Sequence, residues 1–527
     1  MGRTITSTAA AVHEPVSVTI TGDAVAAGDY VRVEASGAGR RAVDGLSLAT
    51  QNTGSGVTAI AGLGVTAHVA AANYGGTPAS GRMLAALGNG NVACLYSGDG
   101  AAPATALTCR IYSPIKAQVA QIAVSAASQI ASMRVLKLNA ANFAIVWGEN
   151  TALKMAVFTN AGAVVQATVA VANIGSSSMA GWNAAVLANG DLVIAYDKTG
   201  SNGVFFQRYN ASGALQGTET SIEAAVAGQY FCVLPLAAGG YWIYYYRSTA
   251  TAAYKFARYN ASGVLQGALT TVFTGTSNLN FMLYENMAAE LSNGNVALID
   301  PTTDTTSAVR LYDSAGVLLT TVTNNTGLAA GAVNRTMIRA RAGGGFFLAV
   351  FSGLIAQYDN AGNRLASGSA PAALTTANEG LLIDRVGTGP VLYAHQSRSG
   401  SGSVSAIAYD STMTSEATAL TIQAISTTAY GLWAELLPSG LLAYTFCNSA
   451  VTGVSAHGRV APQAASVLGV AISAGSDGQA VQVATAGRWR ANQTMPSVSF
   501  DRRSSTPVGC KAVITGGTQA VLLGIVA

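Results

Sequence analysis

Charge is scarce in this sequence. Only 10% of its 527 residues are Asp, Glu, Lys or Arg, against about a quarter in ordinary soluble proteins. The net charge of +4 is small and scattered, which argues against a nucleic-acid-binding surface. Histidine is equally thin. His13, His68, His395 and His457 are dispersed, and without one of them placed beside a nucleophile a triad has no base. The five cysteines, Cys94, Cys109, Cys232, Cys447 and Cys510, show no Cys-x-x-Cys spacing and no Cys/His cluster. They read as buried thiols of a reducing compartment, with a Cys94–Cys109 disulfide in one hairpin as the alternative. No metal and no cofactor is expected.

Long apolar runs are missing too. Mean hydropathy is positive, yet no stretch of about twenty apolar residues occurs, so no membrane insertion by a spanning helix is expected. Met1-Gly2-Arg3-Thr4-Ile5-Thr6-Ser7 has no apolar signal core, which predicts synthesis without a signal peptide. The motifs of common chemistries are absent: no Gly-x-Ser-x-Gly elbow, no phosphate-cradling Gly loop, no His-Glu-x-x-His. The Ser-x-Asp-x-Gly boxes of sialidase-type propellers are absent as well. A glycosidase needs two carboxylates across the scissile bond. Glu285, Glu290, Asp300, Asp384 and Glu435 are the available candidates, and their spacing selects no pair. The expectation is a protein without enzymatic activity.

What the chain does have is a repeat. Arg208-Tyr209-Asn210-Ala211-Ser212-Gly213-Ala214-Leu215-Gln216-Gly217 returns fifty positions later as Arg258-Tyr259-Asn260-Ala261-Ser262-Gly263-Val264-Leu265-Gln266-Gly267, with one change. Each copy opens with a Leu-x-Asn-Gly turn, as at Leu87–Gly90, Leu187–Gly190 and Leu291–Gly294, with weaker forms elsewhere. Each then carries an aromatic residue followed by Asn or Asp, a small residue and Gly, as at Phe158–Gly162, Tyr312–Gly316 and Tyr358–Gly362. Copies recur at roughly 45 to 54 residues, the range of propeller blades. Asn-Gly is the strongest short hairpin signal, both residues being expected at positive φ, while the Asn-Ala-Ser-Gly form suits a type I turn closed by a left-handed Gly. The flanking runs are rich in β-formers. Two hairpins per copy give a four-stranded sheet, and such sheets pack face to face around an axis. The expectation is an all-β chain: an eight-bladed propeller, or seven-bladed if one degenerate copy is not a blade.

The last copy runs into Ala461-Pro462 without an evident fourth strand. Val57–Val65, ahead of the first copy, is a strand-like run with no repeat of its own. If it completes the last blade, both ends of the chain seal the ring and leave no open edge there. The expected domains are residues 57–461 as propeller, with 1–56 and 462–527 joined as one composite β-domain, each part being too short for a core of its own.

Two residue sets are candidates for function. Trp242, Tyr244 and Tyr246 share one face of a strand and form an aromatic row of the kind that stacks on sugar rings; the alternative is packing between blades. Arg134, Lys137, Glu290, Arg339, Arg341, Asp384, Arg385 and Glu435 precede the first turns of their copies. On innermost strands they would line a solvated central channel.

The ends of the chain resemble the small β-modules of tailed-bacteriophage virion proteins. The matching features are Ile20-Thr21-Gly22-Asp23-Ala24-Val25-Ala26-Ala27-Gly28-Asp29-Tyr30-Val31, Val467–Val483 with its Ala474-Gly475-Ser476-Asp477-Gly478 turn, and Cys510–Ile525. The resemblance covers about 110 residues and carries over no site residue. It implies a structural virion component: a tail-fibre or appendage protein made in the host cytoplasm, attached or oligomerised through its ends. Other virion proteins and further copies of the chain (a trimer favoured) would be its partners. A host-surface glycan is a further partner of the exposed propeller. A capsid-decoration or connector protein without a receptor role is the second reading, and a polysaccharide-degrading propeller enzyme the third.

Overall fold

In the computed structural model the two hairpins of a copy close in the same way. In the first sheet Gly90 donates to Leu87 O at 3.1 Å, and Leu87 N donates to Asn91 O at 2.8 Å. In the second hairpin of a later copy Gly213 donates to Asn210 O and Asn210 N to Ala214 O, both at 2.8 Å. Each is a tight turn ending in a left-handed glycine, with φ of 82° at Gly90 and 85° at Gly213. That is the type I turn with a bulge, as expected of the Asn-Ala-Ser-Gly form; at the Asn-Gly turns it stands in place of the expected two-residue turn with Asn also at positive φ. The Asn acts through its side chain instead. Asn89, Asn189 and Asn293 each accept from the amide two residues on, at 3.0–3.2 Å. Asn210 and Asp359 accept from the amides two and four residues on, so Asn and Asp interchange where only the acceptor oxygen is used.

The structure describes residues 82–97, 106–112, 118–126, 130–174, 181–198, 203–249, 251–275, 287–303, 306–322, 336–341, 343–350, 354–369, 378–384, 391–397, 402–409, 412–413, 420–425, 429–436, 442–448 and 454–462, with five short strands before 82 and five after 466. These residues form a succession of antiparallel sheets, each an up-and-down meander. Sheet 1 runs from Leu84–Ala86 to Gln118–Ser125, sheet 2 from Ile130–Lys137 to Val164–Asn173, and sheet 3 from Trp182–Val186 to Thr220–Ala224. Sheet 4 runs from Gly228–Leu236 to Thr270–Thr274, sheet 5 from Ala288–Glu290 to Leu318–Val322, sheet 6 from Thr336–Ala340 to Arg364–Ser369, and sheet 7 from Asn378–Asp384 to Leu420–Ile425. Sheet 8 holds Ala429–Leu436, Leu442–Asn448 and Val454–Pro462. The first strand of every sheet touches the first strand of the next, and Ala429–Leu436 touches Leu84–Ala86, so the cycle closes. The fold is a β-propeller.

Closure differs in detail from the expectation. Leu48–Thr50 pairs with Val460–Pro462, and Thr66–Ala67 pairs with Val454 and Ser455. The last sheet is therefore completed from the N-terminal part of the chain, but by strands on either side of Val57–Val65, a run that lies outside the described residues. Leu48–Thr50 thus joins the ring although it precedes the expected boundary at 57. The ends of the chain also meet. One five-stranded sheet interleaves Val16–Thr19, Tyr30–Val33 and Gly39–Arg41 with Val467–Ala471 and Ala480–Ala484. A separate small sheet joins Gly487–Arg490, Ala512–Ile514 and Gln519–Leu522.

The core lies between sheets. Asn142–Glu149 and Gly240–Arg247, second strands of their sheets, are buried at seven of eight positions. Neighbouring sheets cover both of their faces, so they lack the alternation of a half-buried strand. Outermost strands such as Val164–Asn173 are largely exposed.

Candidate functional site

The radial placement of the sheets decides what the innermost strands can offer. A sheet standing on edge toward the axis turns both of its faces to neighbouring sheets, and only its first backbone edge toward the channel. Side chains of the first strand therefore point sideways. Arg134 is 1% exposed, and its guanidinium lies 5.7 Å from the centre of the Trp182 ring on the next sheet. It does not line a solvated channel. Glu290 is half-buried and accepts from Ala237 N of the preceding sheet at 2.5 Å; burial raises its pKa, and the amide bond only partly offsets this. Glu435 is engaged with the first sheet: Arg82 Nε donates to its Oε1 and Ala86 N to its Oε2, both at 2.8 Å. Arg341 is half-buried and donates to Gly344 O at 3.1 Å. Of this set, Lys137 and Arg339 are exposed. Arg385 and the side chain of Asp384 lie outside the described residues. The channel-lining expectation is corrected for Arg134, Glu290 and Glu435, which tie one sheet to another.

The aromatic row is likewise interior. Trp242, Tyr244 and Tyr246 are 1%, 0% and 6% exposed. Trp242 stacks on Phe256 with ring centres 4.4 Å apart and meets Tyr312 edge-on at 6.1 Å. Tyr244 Oη donates to Ile299 O of sheet 5 at 2.7 Å, and burial pushes its pKa well above the usual phenol value. Tyr246 packs on Tyr254 and Tyr230. No ring face is left for a sugar, so these residues fill the space between sheets. On the opposite face of the strand, Tyr245 Oη donates to Glu223 Oε2 at 2.6 Å.

Three carboxylates that the sequence did not single out are also well connected. Glu223 of sheet 3 binds Lys255 at 2.5 Å and Arg247 at 2.8 Å, both on sheet 4, besides Tyr245. Glu219 binds Lys198 at 2.5 Å and Tyr196 at 2.6 Å. Glu149 takes bonds from Lys154, Trp147 and Ser125, the last from sheet 1. Burial raises the pKa of each, and the assembled donors together outweigh it, leaving all three below the usual glutamate value. Asp300 is fully buried with Arg310 as its partner, and its burial leaves the carboxyl raised. A glycosidase pair would need two carboxylates facing a shared space. Asp300, Glu290 and Glu435 are each committed to a different structural partner, and Glu285 lies outside the described residues.

Cys94, Cys109 and Cys232 are buried thiols. Cys94 stands opposite Arg110, and Cys109 opposite Leu95, so the disulfide alternative is not realised. Burial pushes Cys109 and Cys232 up to about 12, far from the range of a reactive thiolate. No group of three His, Cys, Asp or Glu that could hold a metal occurs among the described residues. No helix there is long and apolar enough to cross a membrane.

No family model and no curated protein matches the sequence. Among solved structures the chain is similar to one described as the Dos1 propeller, at 10% identity over 70% of this chain and 88% of that one, with a TM-score of 0.43. It is similar to a chain from a study of two prolyl endopeptidases, at 8% identity over 69% of this chain and 53% of that one, with a TM-score of 0.42. A third is BamB from Moraxella catarrhalis, at 11% identity over 63% of this chain and 82% of that one, with a TM-score of 0.34. Likenesses of this size transfer no activity. The propeller rests on the sheet order and the closed cycle of contacts.

Proposed function

We propose that the chain is a non-enzymatic structural component of a tailed-phage particle, a tail-fibre or appendage protein whose ring, read as eight blades, is presented for host-surface contact. The observation that carries the reading is the interleaved sheet of the two ends. Val16–Thr19 pairs with Ala480–Ala484 and Tyr30–Val33 with Val467–Ala471, within the segments that resemble virion β-modules. A mount built from both ends holds a ring as one rigid head, which suits an appendage. The closing of buried carboxylates into ion pairs supports a role in recognition and architecture over catalysis. The test is mass spectrometry of purified particles from a phage carrying this reading frame, with antibody labelling under the electron microscope. The chain is expected in fixed stoichiometry at the tail. Its absence from purified particles would overturn the proposal, and labelling of the capsid shell would replace it with the decoration reading.

A further inference from the structure

All ten large apolar side chains that are exposed among the described residues occupy one recurring place. It lies just past the turn that follows the third strand, at the head of the fourth strand in sheets 1, 2, 5 and 6 and on the segment leading to it in sheets 3 and 4. Val119, Val165, Leu215, Leu265, Leu318 and Leu365 supply one each from sheets 1 to 6, at 38–53% exposure. Because every sheet has the same strand order, these turns open toward the same end of the ring. The result is an apolar arc around the outer perimeter of that end. Scattered exposed aliphatics need no explanation, but a contiguous patch of more than a few hundred Å² marks an interaction surface.

Four of the six fourth strands on these sheets also lack the usual protection of a free edge. Natural edge strands carry Lys, inward charges or Pro against pairing with other chains. Gln118–Ser125, Val164–Asn173, Thr270–Thr274 and Leu318–Val322 contain no charged residue and no Pro, whereas Thr220–Ala224 carries Glu223 and Arg364–Ser369 carries Arg364. Among the described strands, no other is hydrogen-bonded to these outer edges.

We infer that the arc is a self-association surface, and that its occupant is the same arc of a second copy of this chain. Size and chemistry both favour this occupant. Ten half-exposed Val and Leu side chains offer on the order of several hundred Å², close to the ~800 Å² that each partner contributes to a standard interface. An arc of aliphatic groups gives a charged partner nothing to read, whereas it is complementary to itself across a two-fold axis. This inference does not depend on the virion reading, because it concerns the purified chain alone.

Sedimentation velocity of the full chain over a wide concentration series tests it, with the triple variant Leu215→Asp, Leu265→Asp, Leu318→Asp beside the wild type. Association of the wild type is expected. In the variant it should weaken by at least about a hundredfold, because two or three central anchors contribute about tenfold or more each. Thermal unfolding should leave the variant's transition in place. If the aspartates impair folding, the corresponding Leu→Ser triple variant gives the same readout. A wild type that sediments as a single chain throughout overturns the inference, as does undiminished association of a folded variant.

Discussion

Arg82 donates through Nε to Glu435 Oε1 at 2.8 Å although 353 positions separate the two. The same carboxylate takes Ala86 N at 2.8 Å and Trp433 Nε1 at 3.2 Å. The Arg82 guanidinium also lies 5.5 Å from the centre of the Trp433 ring. One carboxylate thus satisfies three donors at the place where the first sheet meets the last. Strand pairing by Leu48–Thr50 closes the outer part of the last sheet, while this cluster closes the inner part.

Removing that carboxylate leaves an arginine and a backbone amide without an acceptor in a half-buried setting. Glu435→Ala is expected to cost about 2–3 kcal/mol of unfolding free energy. Glu290 accepts from a single amide, so Glu290→Ala is expected to cost about 1 kcal/mol. Urea denaturation of both variants measures the two losses. Equal losses would show that the seam holds no special share of the stability.

Glycines of the turns separate a conformational cost from a packing cost. Gly213 and Gly294 have nearly the same φ, 85° and 81°. A Cβ on Gly294 would meet nothing within 4 Å, whereas one on Gly213 would come to 2.6 Å from Gln166 Cβ and 2.9 Å from Val157 Cγ2 of sheet 2. Gly294→Ala should therefore lose only the left-handed preference, about 1–2 kcal/mol. Gly213→Ala adds overpacking and should cost about 1–3 kcal/mol more. Thermal or urea unfolding of the pair checks the difference, and a larger loss at Gly294 would contradict the seating of one sheet's turn on the next.

These relationships explain what could and could not be read in advance. The repeat and its hairpins were legible because a turn is set by four or five adjacent residues, as in Asn210-Ala211-Ser212-Gly213. The surroundings of Arg134 and Trp242 were not, because Trp182 and Tyr312 reach them from other sheets. Period-two patterning tells which residues share a face, but in a radial stack both faces are interior. The closing strand was placed in Val57–Val65 because that run is apolar. Backbone pairing by Leu48–Thr50 and Thr66–Ala67 leaves no comparable signature in three and two residues. The partners of Glu223 lie 24 and 32 positions away, beyond any local spacing rule.

Glu223 also makes the acid response of the ring testable. Burial drives its carboxyl upward, but the bonds from Lys255, Tyr245 and Arg247 together prevail and hold it below the usual glutamate value. A carboxyl whose folded pKa is depressed contributes stability above its unfolded pKa, and that contribution is lost as pH falls through the folded pKa. Asp300 and Glu290 work in the opposite sense. Burial is the leading cause at both, their folded values are raised, and protonation on mild acidification relieves them. The wild type is therefore expected to lose the Glu223 contribution progressively as pH falls from the ordinary glutamate range through the lower folded value, with Glu149 and Glu219, also depressed, acting in the same direction. Glu223→Gln should lower stability at neutral pH and flatten the acid limb, so that the two proteins converge as pH falls. Urea midpoints measured from neutral pH down through that range give both curves. A gap between them that stays constant would mean that the ion pairs of Glu223 add nothing beyond its packing and neutral hydrogen bonds.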